Sequence, residues 1–419
     1  MRLLKLILLT VSAVLFLLTL ASLSYRRADL PTDYELSLAR IQKDIAELED
    51  GTLTPPVDID KALKLTQRMY HRAQLTGSPA DLQATKAAIE RALREVGPLA
   101  GLYLLKANLN FKLHRLTETD QDIAALSRFA GDARIVTLKA GIDFHRGRYE
   151  AAKMGYLSAV EKNPSWDNLA RLAYWLGKFG DAGLADRLYR QAGEEISAKD
   201  KHSYSWIELQ RGLLDLNRGR YDEAMRHYRD AGKAYSGYWL IDEHRAEILA
   251  ATRKFDAAAA LYESVVARAP LPELQQRLGD LYLFMGKPER ARPWHDKALA
   301  GYLDSAARGE VNYYHHLAGF YADVRGDGTE AAKWAEKDLA LRPHFATQDA
   351  LAWALYRAGR FQAARSASQE ALSSGVKDAH LFFHAGMIHL AAGKTAEGKE
   401  LLRKAGEINP GYENFHAHR

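Results

Sequence analysis

A turn, usually centred on glycine, recurs along most of this chain at a nearly constant interval. Equivalent turn positions are 33 or 34 residues apart in six of eight steps, and the other two steps are 39 and 40 residues. The nine positions are His114, Gly147, Gly180, Gly219, Arg253, Gly286, Gly326, Gly359 and Gly393. An interval of this length fits one helical hairpin, which cannot bury its apolar face without neighbouring copies. The repeat therefore predicts a stacked array of helix pairs.

Side-chain size is also periodic after each turn. A small residue follows five positions later in most copies, namely Ala152, Ala185, Ala224, Ala258, Ala291, Ala331, Ala364 and Gly398. Four positions further on, several copies carry a larger ring, at Tyr156, Tyr189, Tyr228, Tyr262 and His295. Residues at this spacing share one helix face, where small side chains let two helices approach closely. Four residues depart from the pattern, and we expect their copies to be distorted: Thr119, Ala335, Asp338 and Ser368.

This pattern resembles the tetratricopeptide repeat (TPR) family over roughly residues 100–412. The resemblance implies an all-α fold, a right-handed superhelical α-solenoid of about nine helix pairs, which we place at residues 99–412. It also implies a non-enzymatic role in binding a protein partner. The aromatic residue that the family carries early in the first helix is mostly absent here.

The N-terminal segment, residues 1–27, contains an uncharged run from Leu6 to Leu23. Its 18 residues would span about 27 Å as a helix, close to the hydrocarbon thickness of about 30 Å. We therefore predict a signal-anchor helix that crosses the lipid bilayer through residues 6–23. The alternative is a secretion signal cleaved near Ala21 or Ser24, which would leave the body secreted.

Basic residues flank this run on both sides. Arg2 and Lys5 precede it, which favours an exported body, whereas Arg26 and Arg27 follow it and oppose that orientation. We expect a single-pass membrane protein with an extracytoplasmic body.

Residues 28–98 are predicted to form a helical stem and capping helices, and residues 413–419 a C-terminal tail. A helix is expected from Thr32 or Asp33 to Glu49. The two longer steps place insertions near residues 193–205 and 301–312. We expect these insertions to be structural variation, with a binding lip as the alternative.

Charge and composition exclude several classes of function. The formal charge is +5, but residues 1–27 hold four basic and no acidic residues, so the remainder has 54 basic and 53 acidic residues, about +1. This balance argues against nucleic-acid binding. The absence of cysteine excludes thiolate catalysis and cysteine zinc sites.

Partner-binding residues are expected on the concave face, which the first helices of such solenoids line. Helical spacing from each turn selects Tyr174, Trp206, His244, Glu247, Arg277, Asp280, Tyr313, His316, Phe320, Trp353, Tyr356, Arg357, His380 and His384. Aromatic, histidine and charged side chains together suit an extended peptide or an exposed helix of a partner. With the predicted membrane anchor, this indicates a scaffold in a cell-envelope complex. The same set could bind a glycan, which gives a component of polysaccharide assembly or export as the alternative.

No motif for catalysis or cofactor binding accompanies these residues, so we predict no enzyme activity, no cofactor and no metal. His380 and His384 lie one helical turn apart, a spacing that can hold a metal ion. No carboxylate lies at a matching position beside them in the sequence. We therefore expect them to be structural or to line the groove.

Overall fold

The computed structural model describes residues 30–49, 58–129 and 134–416, and all of the regular secondary structure in these ranges is helical. The predicted membrane-spanning segment, residues 6–23, lies outside them. Among the described residues, no helix combines the length and apolar character that crossing a bilayer requires.

Three helices precede the repeats: α1 (Asp33–Glu49), α2 (Ile59–Thr76) and α3 (Pro79–Val96). The first half of the array contains α4 (Ala100–Lys112), α5 (Leu116–Leu126), α6 (Arg134–His145), α7 (Tyr149–Lys162), α8 (Trp166–Lys178), α9 (Ala182–Glu195), α10 (Lys201–Leu216), α11 (Tyr221–Ala234), α12 (Trp239–Ala251) and α13 (Phe255–Arg268). The second half contains α14 (Pro272–Phe284), α15 (Pro288–Ala307), α16 (Tyr314–Gly319), α17 (Gly328–Leu341), α18 (Phe345–Arg357), α19 (Phe361–Ser373), α20 (Ala379–Ala391) and α21 (Thr395–Ile408), and a π-helical turn, Phe320–Arg325, continues α16.

Sequential packing joins these helices into hairpins. From α4 onward each odd-numbered helix packs against the even-numbered helix before it, so residues 100–408 form nine helix pairs. Helices α2 and α3 form a tenth hairpin ahead of them, and α1 packs against α2. The predicted solenoid of stacked helix pairs is confirmed in the part of the chain that the structure describes.

All nine predicted turn positions have left-handed backbone conformations, with φ between 61° and 102°. Seven are glycine, which adopts this conformation without steric cost, but His114 and Arg253 do so with a side chain. The turn geometry is therefore set by the repeat even where the sequence lacks glycine.

Replacing Arg253 with glycine is expected to raise the melting temperature, because a non-glycine residue in the left-handed region costs on the order of 1 kcal/mol. The matched reverse change is Gly286→Ala, since a Cβ at Gly286 would meet no atom within 4 Å and only its φ of 70° would be strained. Thermal unfolding followed by circular dichroism should shift upward for the first variant and downward for the second. Shifts of the same sign would contradict this account of the turns.

The small and aromatic positions of the repeat are buried as predicted. The alanines five residues after each turn are at most 2% exposed, and Tyr228 and Tyr262 are fully buried. A Cβ at Gly212 would lie 2.1 Å from the Tyr228 ring, so the close approach of α10 and α11 needs glycine there. The four departures from the pattern are also buried, and Asp338 forms an ion pair with Arg342, the residue that follows the end of the same helix.

Distant parts of the array contact each other, because the superhelix brings each part back against a part about 200 residues away. The backbone N–H of Tyr34 donates to the Ser236 carbonyl (3.1 Å), and the Trp239 indole donates to the Leu75 carbonyl (3.1 Å). Later contacts join Tyr149 to Phe345, Lys178 to Asp378 and Tyr221 to Gly411. Helix α1 is thus anchored at its start on the middle of the array, which sequence reasoning described only as a stem.

A histidine cluster lies at one of these contacts between successive turns of the superhelix. It consists of His114, His145, His315 and His344 around Arg342. The Arg342 guanidinium lies 3.3 Å from Nε2 of His114 and forms a bidentate ion pair with Asp338. The aromatic rings therefore surround an arginine whose charge is already paired.

Candidate functional site

A central cavity of about 1260 Å³ lies inside the superhelix. Side chains from α1, α2, α8, α10 and the segment before α12 border it, together with residues at the start of α14 and α16. The cavity exceeds the roughly 300–1000 Å³ of typical small-molecule sites. It has room for an extended polymer segment.

Aromatic side chains form much of the cavity wall. Trp166 and Trp206 contact edge to face with centroids 6.1 Å apart, and Tyr235 and Tyr238 contact each other in the same way at 5.9 Å. Such rings offer both an apolar face and a polar edge to an occupant.

Charges of both signs share the cavity with these rings. Arg171 pairs with Asp167 (3.0 Å), and Lys201 pairs with Asp33 (2.9 Å). Lys112 borders the cavity and is surrounded by protein atoms. Burial lowers the pKa of its amino group, and the negative charge of Glu273 partly offsets that effect. A wall with paired and mixed charges does not select a polyanion such as nucleic acid.

Burial raises the pKa of the Glu273 carboxyl group, which accepts a hydrogen bond from the Tyr313 hydroxyl at 3.2 Å. Tyr313 lies against the Tyr302 and His316 rings. This corner of the cavity is therefore held by hydrogen bonding and ring packing before any partner binds.

Both insertions that lengthen the repeat contribute to this cavity. The first supplies Lys199 and Asp200 just before α10 and Lys201 at its start, and the second extends α15 to 20 residues and supplies Asn312 at its end. Two insertions far apart in sequence therefore meet around one space. This arrangement favours the binding-lip alternative over structural variation.

A smaller cavity of about 270 Å³ adjoins the first, because Tyr174 and Gln210 border both. Its wall includes Lys178, Arg218 and Lys377, along with Asp378 and His380. Glu247 borders it as well, so the smaller cavity also carries charges of both signs.

The fourteen predicted partner-binding residues fall into three groups, and their role remains a prediction. Tyr174, Trp206, Tyr313 and His316 border the central cavity, and Tyr174, Glu247 and His380 border the smaller one. Trp353, Tyr356 and Arg357 border neither cavity; Trp353 donates to Asp323, and Arg357 donates to the Ala322 carbonyl. The remaining five are His244, Arg277, Asp280, Phe320 and His384. His244, Phe320 and His384 are buried, Arg277 pairs with Glu243, and Asp280, whose side chain is 35% exposed, pairs with His295.

Two members of that last group correct the expected inward orientation. Phe320 is fully buried and meets the His295 ring edge to face, so it packs between helices. His244 lies beneath the Tyr228 ring and forms an ion pair with Glu243 at 3.0 Å. The rotation of each helix decides which side chains the next repeat covers, and spacing within one helix does not fix that rotation.

Several cavity residues were missed by sequence reasoning. They include Arg40, His71, Lys112, Trp166, Arg171 and Trp239. Arg40 and His71 gave a weak signal because α1 and α2 lie outside the clear repeat, and Trp239 is brought in by contact with Leu75 and Gly77. Only the winding of the array places them around one space.

The structure also contradicts one premise about the histidine pair in α20. Sequence reasoning found no carboxylate beside His380 and His384, but Asp349 of α18 lies there, with Oδ2 2.9 Å from Nδ1 of His384. The carboxylate comes from the preceding repeat, 35 residues earlier. Spacing within one helix could not show it.

Comparison with known proteins finds fold similarity but no family match. No family model and no curated protein matches the chain. A tetratricopeptide repeat protein from Parabacteroides merdae is 21% identical, with 56% of this chain and 93% of that chain covered and a TM-score of 0.39. Yeast Tom70 is 13% identical over 88% of this chain and 89% of its own, with a TM-score of 0.41. A monomeric mutant of IFIT1 is 13% identical over 91% and 96%, with a TM-score of 0.43.

Proposed function

We propose that this protein is a non-enzymatic, membrane-tethered scaffold whose central cavity binds an extended segment of a protein partner in a cell-envelope complex. One observation carries the proposal: both insertions in the repeat reach the same aromatic-lined cavity of about 1260 Å³. The proposed binding role rests on this chain's own residues.

The character of the wall favours a peptide segment. Aromatic faces such as Trp166 and Trp206 suit side chains of a partner, while paired charges such as Arg171 and Asp167 offer donors and acceptors to its backbone. Because the charges are of mixed sign, binding would depend on shape and aromatic contact more than on salt.

The membrane tether and the exported location are part of the proposal and rest on the uncharged run from Leu6 to Leu23. Protease added to intact cells should digest the body only if it is exported. Protection in intact cells together with digestion after lysis would reverse the proposed orientation.

A photo-crosslinking amino acid at position 174 tests the cavity, since Tyr174 is 43% exposed and borders both cavities. We expect crosslinks to one contiguous segment of a single protein in native membranes. A Trp206→Ala change should weaken capture roughly thirtyfold, because an aromatic hot spot contributes about 2 kcal/mol.

The matched control places the same crosslinker at position 154, because Met154 is 62% exposed and borders neither cavity. Identical products from positions 154 and 174, or capture at 174 that Trp206→Ala leaves unchanged, would contradict a binding cavity. A glycan array probed with the full-length protein examines the alternative. Glycan binding lost in Trp206→Ala, with no protein crosslink, would favour a role in polysaccharide assembly or export.

A further inference from the structure

Two histidines and one aspartate converge beside the smaller cavity. Asp349 comes from α18, and His380 and His384 come from α20 of the next repeat. One potential ligand atom from each lies within 4.8 Å of the others. This cluster is separate from the residues that line the central cavity.

The geometry of the cluster suits a metal ion. His380 and His384 are one helical turn apart with ring centroids 3.8 Å apart, so both rings lie on the same face of α20. Asp349 Oδ2 is 2.9 Å from His384 Nδ1, while its other oxygen, Oδ1, is buried without a hydrogen-bond partner. A buried carboxylate oxygen with no donor is costly in a folded protein, and a cation would satisfy it.

Neighbouring side chains hold these three residues in place. The Trp353 ring stacks on His384 at a centroid distance of 4.0 Å and an interplanar angle of 9°. The Asp378 carboxylate accepts hydrogen bonds from the backbone N–H groups of His380 and Leu381. The same carboxylate pairs with Lys178 at 3.0 Å. Asp378 is therefore engaged in fixing the start of α20, which leaves three protein ligands in the cluster.

We propose that Asp349, His380 and His384 bind one divalent transition-metal ion. Two imidazole nitrogens and one carboxylate oxygen suit Zn²⁺ or a similar first-row ion, whereas Ca²⁺ and Mg²⁺ prefer oxygen ligands alone. Three protein ligands leave a coordination position open. That position faces the smaller cavity, because His380 borders it.

A small anion is the ligand expected at the open position. Arg218 and Lys377 border the smaller cavity, and Arg218 donates to the Gly177 and Leu214 carbonyls, which orients its guanidinium. Lys178 is paired with Asp378, and Glu247 also lines the wall, so only a small anion that reaches the metal ion beside Arg218 and Lys377 would be favoured.

The test uses the full-length protein in detergent, with any affinity tag removed and metal stripped by a chelator. Equilibrium dialysis against ZnCl₂ followed by elemental analysis should give about one zinc ion per chain, and Zn²⁺ should raise the melting temperature. Co²⁺ in place of Zn²⁺ should give a visible absorption band of the bound ion. Zinc below about 0.1 equivalent per chain, with no cobalt band, would overturn the proposal.

Two site variants and one matched control complete the experiment. His380→Ala and Asp349→Asn should each lower zinc affinity by about a hundredfold or more and abolish the thermal shift. His389→Gln is the control, because His389 lies in the same helix and faces Glu397 at 3.5 Å, outside the cluster. Zinc binding that survives both site variants, or that is lost equally in His389→Gln, would show that the cluster is not the binding site.

Discussion

Replacing Arg277 with alanine is expected to lower the free energy of unfolding by about 3–5 kcal/mol, the usual effect of breaking a buried ion pair. Arg277 lies 2.8 Å from Glu243, whose side chain is fully buried between helices. The truncation removes the cation and leaves the carboxylate in a place where water cannot solvate it.

A second cation in the same network does not compensate for this loss. Burial disfavours the imidazolium form of His244, but the charges of Glu243 and Glu247 outweigh burial and raise the pKa of His244 to about 9. His244 is therefore already protonated at neutral pH and already pairs with these carboxylates. Replacing Arg277 therefore removes a guanidinium charge from a network in which His244 is already engaged with both carboxylates.

Urea unfolding of the parent and the Arg277→Ala variant would measure this effect, with Arg403→Ala as the control. Arg403 is half-exposed and pairs with Glu400 and Glu407 on the outer surface, so its loss should change stability by less than about 1 kcal/mol. A variant at position 277 as stable as the Arg403 variant would mean that the Glu243 carboxyl is neutral or solvated in the folded protein.

Mild acid is expected to destabilise the protein through the histidine cluster that joins two turns of the superhelix. Burial, then the charge of Arg342, lowers the pKa of His145 to about 4 and that of His315 to about 3. Burial also places the pKa values of His114 and His344 well below the ordinary histidine value of 6.5.

The sign of the effect follows from proton linkage. Below about pH 6.5 the unfolded chain binds protons at these histidines, whereas the folded protein does not until the pH approaches 4 or 3. The stability that the neutral histidines provide is therefore complete above pH 6.5 and declines as the pH falls from there toward 4. Protonation in the folded state would place several cations around Arg342.

Melting temperatures between pH 7.5 and 5 would measure this decline in the parent and in His145→Phe. Nδ1 of His145 makes no hydrogen bond, and its ring meets Phe111 edge to face at 5.2 Å, so phenylalanine should fit with little change at pH 7.5. The variant should lose less stability on acidification than the parent. The parent and the variant contain the same carboxyl groups, so the effect of protonating those groups cancels when the two losses of stability are compared. If the melting temperatures of both proteins fall equally with pH, His145 does not contribute to the loss of stability in acid.

The repeat made much of the fold predictable, because helix formation and hairpin packing are local. Gly286, Ala291 and His295 lie within ten residues, and each occupies the conformation or burial that the spacing predicts. Even Arg253, which lacks the glycine signature, adopts the left-handed turn.

The candidate sites were predictable only in part. Tyr174 and Trp206 border the central cavity, whereas Phe320 and His244 are covered by neighbouring helices. The contact of Asp349 with His384 was not predicted, because it crosses the boundary between two repeats.

By itself, the sequence determined that the body is a stack of helix pairs, where each pair turns, and which positions are small, since those features depend on residues fewer than 40 apart. Only the tertiary structure decided how tightly the stack winds. Small rotations between repeats add up over the array, and contacts such as those of Leu75 with Trp239 and His114 with Arg342 join residues 164 and 228 apart. For that reason the central cavity, the histidine cluster and the Asp349 site became visible only in three dimensions.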